Sequence, residues 1–155
     1  MNFSVTTEYA LRVMSFMAMK EERLYATKDL FENLHIPFRY LRKLMFNLSK
    51  SDLLDSVRGK NGGYKLARSA KDITLLQVIE ASGEEALTKN CFFGYKECNT
   101  KQKCIMHDRW TAVRHDIYKI LSTTTLLEIK KADNLNFITN LTNKRPEATN
   151  EDPMC

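Results

Sequence analysis

Apolar residues recur at three- and four-residue spacings through the first fifty positions. Val5, Tyr9, Val13 and Met17, with Ala10 and Met14 beside them, form one stripe and predict a helix over 4–20, with Thr6 and Thr7 able to cap its start. The polar run Glu21 to Leu24 predicts a turn. A short helix then runs from Thr27, its candidate N-cap, to Leu34, with Leu30, Phe31 and Leu34 facing inward. His35-Ile36-Pro37 breaks the pattern. Proline fits a first helical turn, where its missing N–H costs nothing, so a third helix is predicted from Pro37 to about Ser51. Two helices joined by so tight a turn form a helix-turn-helix signature.

At about 100° per residue, Leu41, Leu44, Met45 and Leu48 of the third helix fall on one face, as a core stripe should. Arg39, Arg42, Lys43 and Lys50 fall opposite, with Phe46 among them. Charge on an outer face is ordinary by itself, and a second basic element next in the chain makes it informative. In Leu54 to Leu66, two short apolar-flanked runs enclose Arg-Gly-Lys-Asn-Gly-Gly, whose glycines permit the positive backbone angles of a hairpin turn. A hairpin after a recognition helix is the wing of a winged helix. Its tip presents Arg58 and Lys60 to a phosphate backbone or a narrow minor groove. The candidate DNA-contacting residues are therefore Arg39, Tyr40, Arg42, Lys43 and Lys50 on the helix, with Arg58, Lys60 and Lys65 on the hairpin.

Beyond the hairpin, a short helix over 74–82 is predicted, with Thr74 as N-cap, Leu75, Leu76, Val78 and Ile79 as its apolar content, and Gly83 as its stop. Met106, Trp110, Val113, Ile117 and Ile120 then alternate spacings of four and three, the seam of a coiled coil. A dimer is preferred over a helix packed on its own domain, because sequence readers of this size commonly engage two half-sites by two-fold symmetry. Another helical piece runs from Leu126 to Lys131, and from about 132 the chain turns polar, with disorder expected over much of 140–155. The expected plan is mainly α: a winged helix-turn-helix domain with a two-stranded wing over 1–82, a loop over 83–104, dimerisation helices including a long C-terminal one over 105–131, and a polar tail over 132–155.

Composition sharpens this picture. The chain has 155 residues, 43% hydrophobic and 28% charged, enough for one packed domain with an added dimerisation element. Net charge is +5, and its distribution says more: from His35 to Arg68 there are eight Lys or Arg against two Asp. No apolar window is long enough to span a membrane, and the N-terminus lacks the basic and apolar regions of a signal peptide, so a cytoplasmic location is expected. Thiols there stay reduced, which directs clustered cysteines toward metal binding or redox sensing rather than a structural disulfide.

Three of the four cysteines, Cys91, Cys98 and Cys104, are spaced C-x6-C-x5-C in the loop, with His107 three residues after the last. Thiolates bind zinc or the iron of iron–sulfur clusters. Structural zinc sites favour tighter C-x2-4-C pairs, and these wider gaps favour a larger object, an iron–sulfur cluster; zinc and a reversible disulfide remain alternatives. Cys155, on the polar tail, is read as a bystander thiol. An enzyme, such as a redox or electron-transfer protein built on this fold, is disfavoured. There is no C-x-x-C pair, no Gly-rich nucleotide loop and no nucleophile constellation, and His35 and His115 are isolated.

The stretches TTEYALRVM, SVRGKNGGYKLAR and DITLLQVIEA, together with the loop C-x6-C-x5-C-x2-H, resemble the Rrf-two type of winged-helix transcriptional regulator, the family that includes the iron–sulfur assembly regulator IscR and the nitric-oxide sensor NsrR. The likeness covers about residues 1 to 130. It implies a homodimeric regulator, repressor or activator, that binds a double-stranded DNA operator and carries an iron–sulfur cluster, 2Fe-2S in preference to 4Fe-4S, sensing redox state, nitric oxide or iron–sulfur status. By the resemblance, Cys91, Cys98 and Cys104 are the cysteine ligands. His107 ranks first as fourth ligand, and Glu8 of the partner subunit second. One departure stands out: many relatives carry Ser, Glu and Gln on the outward face of the recognition helix, where this chain has Arg39, Arg42 and Lys43. These favour guanine or phosphate, so a relative's operator does not transfer.

Overall fold

The computed structural model describes residues 3–84, 91–93 and 103–132. Cys98, Cys155 and the polar tail after 132 lie outside the described residues. Among those described are six α-helices and one antiparallel pair of strands.

Helix α1 (Val5–Ala18) runs through the centre of the domain. Its predicted stripe is the buried one except at its start: Tyr9, Ala10, Val13, Met14 and Met17 are buried, whereas Val5, the first helical residue, is 38% exposed. The cap differs from expectation. Ser4, not Thr6 or Thr7, is the N-cap and accepts from the Thr7 N–H at 3.3 Å, while Thr7 is fully buried with its hydroxyl turned to a distant partner.

Helices α2 (Thr27–Leu34) and α3 (Phe38–Lys50) are the predicted helix-turn-helix. Thr27 is the first helical residue rather than the cap. That place goes to Ala26, whose methyl cannot accept a hydrogen bond, and its N–H donates instead to the Asp29 carboxylate at 3.3 Å. Phe31 does not face inward either. Leu30 and Leu34, one turn apart, fill the buried face of this eight-residue helix, leaving Phe31 42% exposed and tilted against Phe38 with ring centroids 5.8 Å apart. His35 closes α2 in the left-handed conformation, φ 51°. Pro37 stands one position before α3, its carbonyl accepting from Tyr40 and Leu41. Leu41, Leu44, Met45 and Leu48 are buried, as the angular pattern requires.

Strands β1 (Leu54–Val57) and β2 (Gly63–Leu66) pair with Leu54 opposite Leu66 and Asp55 opposite Lys65. Two glycines serve different purposes here. Gly59 turns the tip with φ +116°, which a side chain rarely adopts. Gly63 lets the wing touch the domain: a Cβ there would lie 2.5 Å from the Tyr25 carbonyl oxygen, where Tyr25 and Tyr64 exchange backbone hydrogen bonds.

After a single 3-10 turn (Ala70–Asp72), α4 (Leu75–Ala81) starts at Thr74 with a full capping box. The Thr74 hydroxyl accepts from the Gln77 N–H, and the Gln77 side chain accepts from the Thr74 N–H. Gly83, at φ +90°, follows its last turn as predicted. Helices α5 (His107–Thr123) and α6 (Leu126–Ala132) are the last elements among the described residues. They behave differently. Leu126 of α6 has no solvent exposure and joins the N-terminal core, with its N–H donating to the Ile73 carbonyl at 2.9 Å. No residue of α5 is buried.

Candidate functional site

The outer face of α3 carries every cation predicted for it. Arg39, Arg42, Lys43 and Lys50 are exposed, and Phe46, among them, is 65% exposed. Two of the guanidiniums rest on rings: Arg39 over Tyr40 at 4.8 Å and Arg42 over Phe38 at 5.9 Å. Tyr40 is half-buried, packs edge-on to Tyr9 of α1 at 5.7 Å and accepts from Arg39 at 3.2 Å. It thus braces the recognition face from behind. On the wing, Arg58 and Lys60 are exposed at the tip, and Lys65 is exposed but sits opposite Asp55 in the strand register. A groove between α2 and the wing is lined by Thr27, Ser56, Arg58 and Tyr64. The arrangement sets exposed cations of a helix beside those of a wing, the charge needed to contact duplex phosphates.

The predicted ligands divide. Cys91 is buried, and Cys104 is exposed just ahead of α5. His107 is the first residue of α5, its side chain only 11% exposed, and its N–H donates to the Cys104 carbonyl at 3.0 Å. An ion pair between Lys103 and Asp108 at 3.0 Å fixes the same turn. Phe92 packs edge-on to Trp110 at 5.6 Å, so the residue after Cys91 touches the helix that starts at His107. Both ends of the cysteine segment therefore meet the N-terminus of α5. Among the described residues no three His, Cys, Asp or Glu are close enough to hold one metal ion, and Cys98 lies outside them. Cysteine and histidine side chains carried by the segment that leads into α5 are of the types that ligate iron–sulfur clusters or zinc. Glu8 is exposed in the first turn of α1. It forms no ion pair with Arg12, whose guanidinium lies 6.0 Å from the Tyr9 ring.

A group of residues that no sequence pattern singles out joins α1 to the start of that segment. The Thr7 hydroxyl lies 2.7 Å from that of Ser82 and 3.0 Å from that of Ser4, and it donates to the Glu84 carboxylate, which also accepts from the Ser4 N–H at 3.0 Å. Burial pushes the Glu84 carboxyl up, but hydrogen bonds from Thr7 and Ser4 outweigh it and hold the group below the usual carboxylate range. Glu21 is placed similarly at the other end of α1. The Ala70 N–H holds its carboxyl down, burial opposes this, and Lys130 of α6 and Ser69 add to the lowering.

Residues 3–132 match the family model described as Rrf2, iron-dependent transcriptional regulator. The chain belongs to the Rrf2 family. It is 31% identical to the HTH-type transcriptional regulator NsrR of Oceanobacillus iheyensis over 133 residues, covering 84% of this chain and 90% of that protein. In structure it is similar to T. potens IscR, with TM-score 0.69 and 27% identity over 86% of this chain and 89% of that one. It also shares the fold of CymR, the global cysteine regulator of B. subtilis, with TM-score 0.74 at 23% identity, over 86% of this chain and 99% of that one. This Rrf2 chain is thus a DNA-binding transcriptional regulator and not an enzyme, as the helix-turn-helix and wing predict. Among the described residues, no helix is long and apolar enough to cross a membrane.

Proposed function

We propose that this protein is a homodimeric regulator whose affinity for its DNA operator is controlled by an iron–sulfur cluster on Cys91, Cys98 and Cys104. His107 is the first choice for the fourth ligand and Glu8 of the partner subunit the second. The observation that carries the reading is that Cys104 and His107 share the turn that opens α5 while Phe92, next to Cys91, packs on Trp110 of the same helix, whose Val113 and Ile120 are left exposed. When bound, the cluster supplies a redox- and ligand-sensitive group. The remaining steps belong to the chain. The segment from Cys91 to Cys104 joins α4 to α5, so its conformation sets how α5 leaves the winged helix. Val113 and Ile120 on the α5 seam, 46% and 60% exposed, would be covered by the same helix of a second copy. A change at the helix start would then alter the separation of two α3 helices, and with it the match to two half-sites.

A second reading keeps the DNA binding and makes the segment a thiol–disulfide or zinc switch; the exposure of Cys104 favours it, since an accessible thiol can be oxidised. Analysis of anaerobically purified protein for iron, inorganic sulfide and zinc, with its visible spectrum, separates the two. Stoichiometric iron and sulfide with broad visible absorption support the cluster. Zinc without colour, or no metal, supports the switch.

A further inference from the structure

Phe46 is more exposed than Phe31 or Phe38, the other phenylalanines of the helix-turn-helix, at 65% against 42% and 41%. Those two cover each other, and Arg42 lies over Phe38. None of the ring or cation–ring pairs among the described residues includes Phe46. Its direction is also particular. At about 100° per residue, Phe46 falls within roughly 30° of the line opposite the buried stripe, between the directions of Arg42 and Arg39. It therefore stands near the outermost line of a face whose other long side chains are cations.

Such a face, once drawn into a major groove by its cations, must put the phenyl ring against base edges. Guanine, cytosine and adenine present hydrogen-bonding groups there, and none of them compensates a ring for lost water. The thymine C5-methyl is the one apolar group on the major-groove floor. We propose that Phe46 is a specificity-determining residue that reads a thymine methyl at one position of each operator half-site. The inference rests on the reading of α3 as the recognition helix, and it names a base preference that the cations, suited to guanine and phosphate, do not supply.

The test uses the full chain and a duplex selected from a random-sequence library by the wild-type protein. Deoxyuridine then replaces thymidine position by position, removing only the methyl group. Burial of one methyl is worth about fourfold in affinity, so replacement at the contacted position in both half-sites should weaken wild-type binding about fifteenfold. The Phe46→Ala protein should bind the two duplexes equally, and Phe46→Leu should keep part of the discrimination. Circular dichroism checks that the variants are folded, which an exposed position allows. A wild-type protein indifferent to deoxyuridine at every position, or a Phe46→Ala protein as sensitive as wild type, overturns the assignment and leaves the DNA-binding reading standing. Selection of no sequence at all overturns both.

Discussion

The hydroxyls of Thr7 and Ser82 lie 2.7 Å apart across 75 positions of sequence, fastening the first turn of α1 to the end of α4. Both residues are buried, and the Ser82 hydroxyl, also 2.6 Å from the Ile79 carbonyl oxygen, has its single proton to share between that oxygen and Thr7. Replacing Thr7 by Val keeps the shape and removes the hydroxyl, stranding part of this network. The expected loss is about 1–3 kcal/mol of unfolding free energy. It should appear as a lower urea midpoint with unchanged slope, and an unchanged midpoint would show that the pair contributes nothing.

Acid sensitivity is expected from Glu84 and Glu21, the partly buried members of four lowered carboxyls that also include Asp108 and Glu128. A group whose folded pKa is depressed stabilises the fold above its unfolded value, and that contribution is lost as pH falls through the folded value. Stability should therefore decline below about pH 5, the range in which free carboxylates begin to protonate. The double variant Glu21→Gln, Glu84→Gln should be less stable at neutral pH and show a shallower decline. Parallel curves for the two proteins, measured by denaturant unfolding from neutral to acid pH, would show that neither carboxylate contributes.

These contacts also mark where reading the chain in one dimension stops. The core of α3 is legible because Leu41, Leu44, Met45 and Leu48 are ordered by the helical period itself, and the Thr74 cap because its Gln77 partner is three residues away. Thr7, Ser82 and Glu84 are not, since the partners that draw Thr7 inward come from the far end of α4. Phe31 defeats the pattern because an eight-residue helix with two leucines one turn apart has no buried room left for a third apolar side chain. The basic face and the three-cysteine spacing need only local sequence. That Cys91 returns to α5 through Phe92 and Trp110 needs the fold.

Dimerisation should depend on the α5 seam. Val113 and Ile120 are exposed in the chain, so Val113→Asp with Ile120→Asp removes no core packing. Light scattering should give a dimer mass for wild type and a monomer mass for the variant, with unaltered helical content. A variant that remains dimeric would move the interface elsewhere.

At the wing tip, Lys60 is exposed and is proposed to contact phosphate. Lys60→Ala should weaken binding to all duplex sequences alike, and the slope of log affinity against log salt should fall by about two for a dimer, one for each lost phosphate contact. An unchanged slope would take the wing off the DNA backbone.

The most direct test is the affinity for one selected duplex, measured anaerobically by gel shift before and after iron and sulfide are removed from the same preparation. Control by the Cys91, Cys98 and Cys104 site predicts bound iron at the start and at least a tenfold change in affinity, a coupling of about 1.4 kcal/mol. Cys91→Ala should hold the affinity at the iron-free value. Equal affinity before and after removal, from a preparation that did contain iron and sulfide, would contradict the coupling of the cysteine site to DNA.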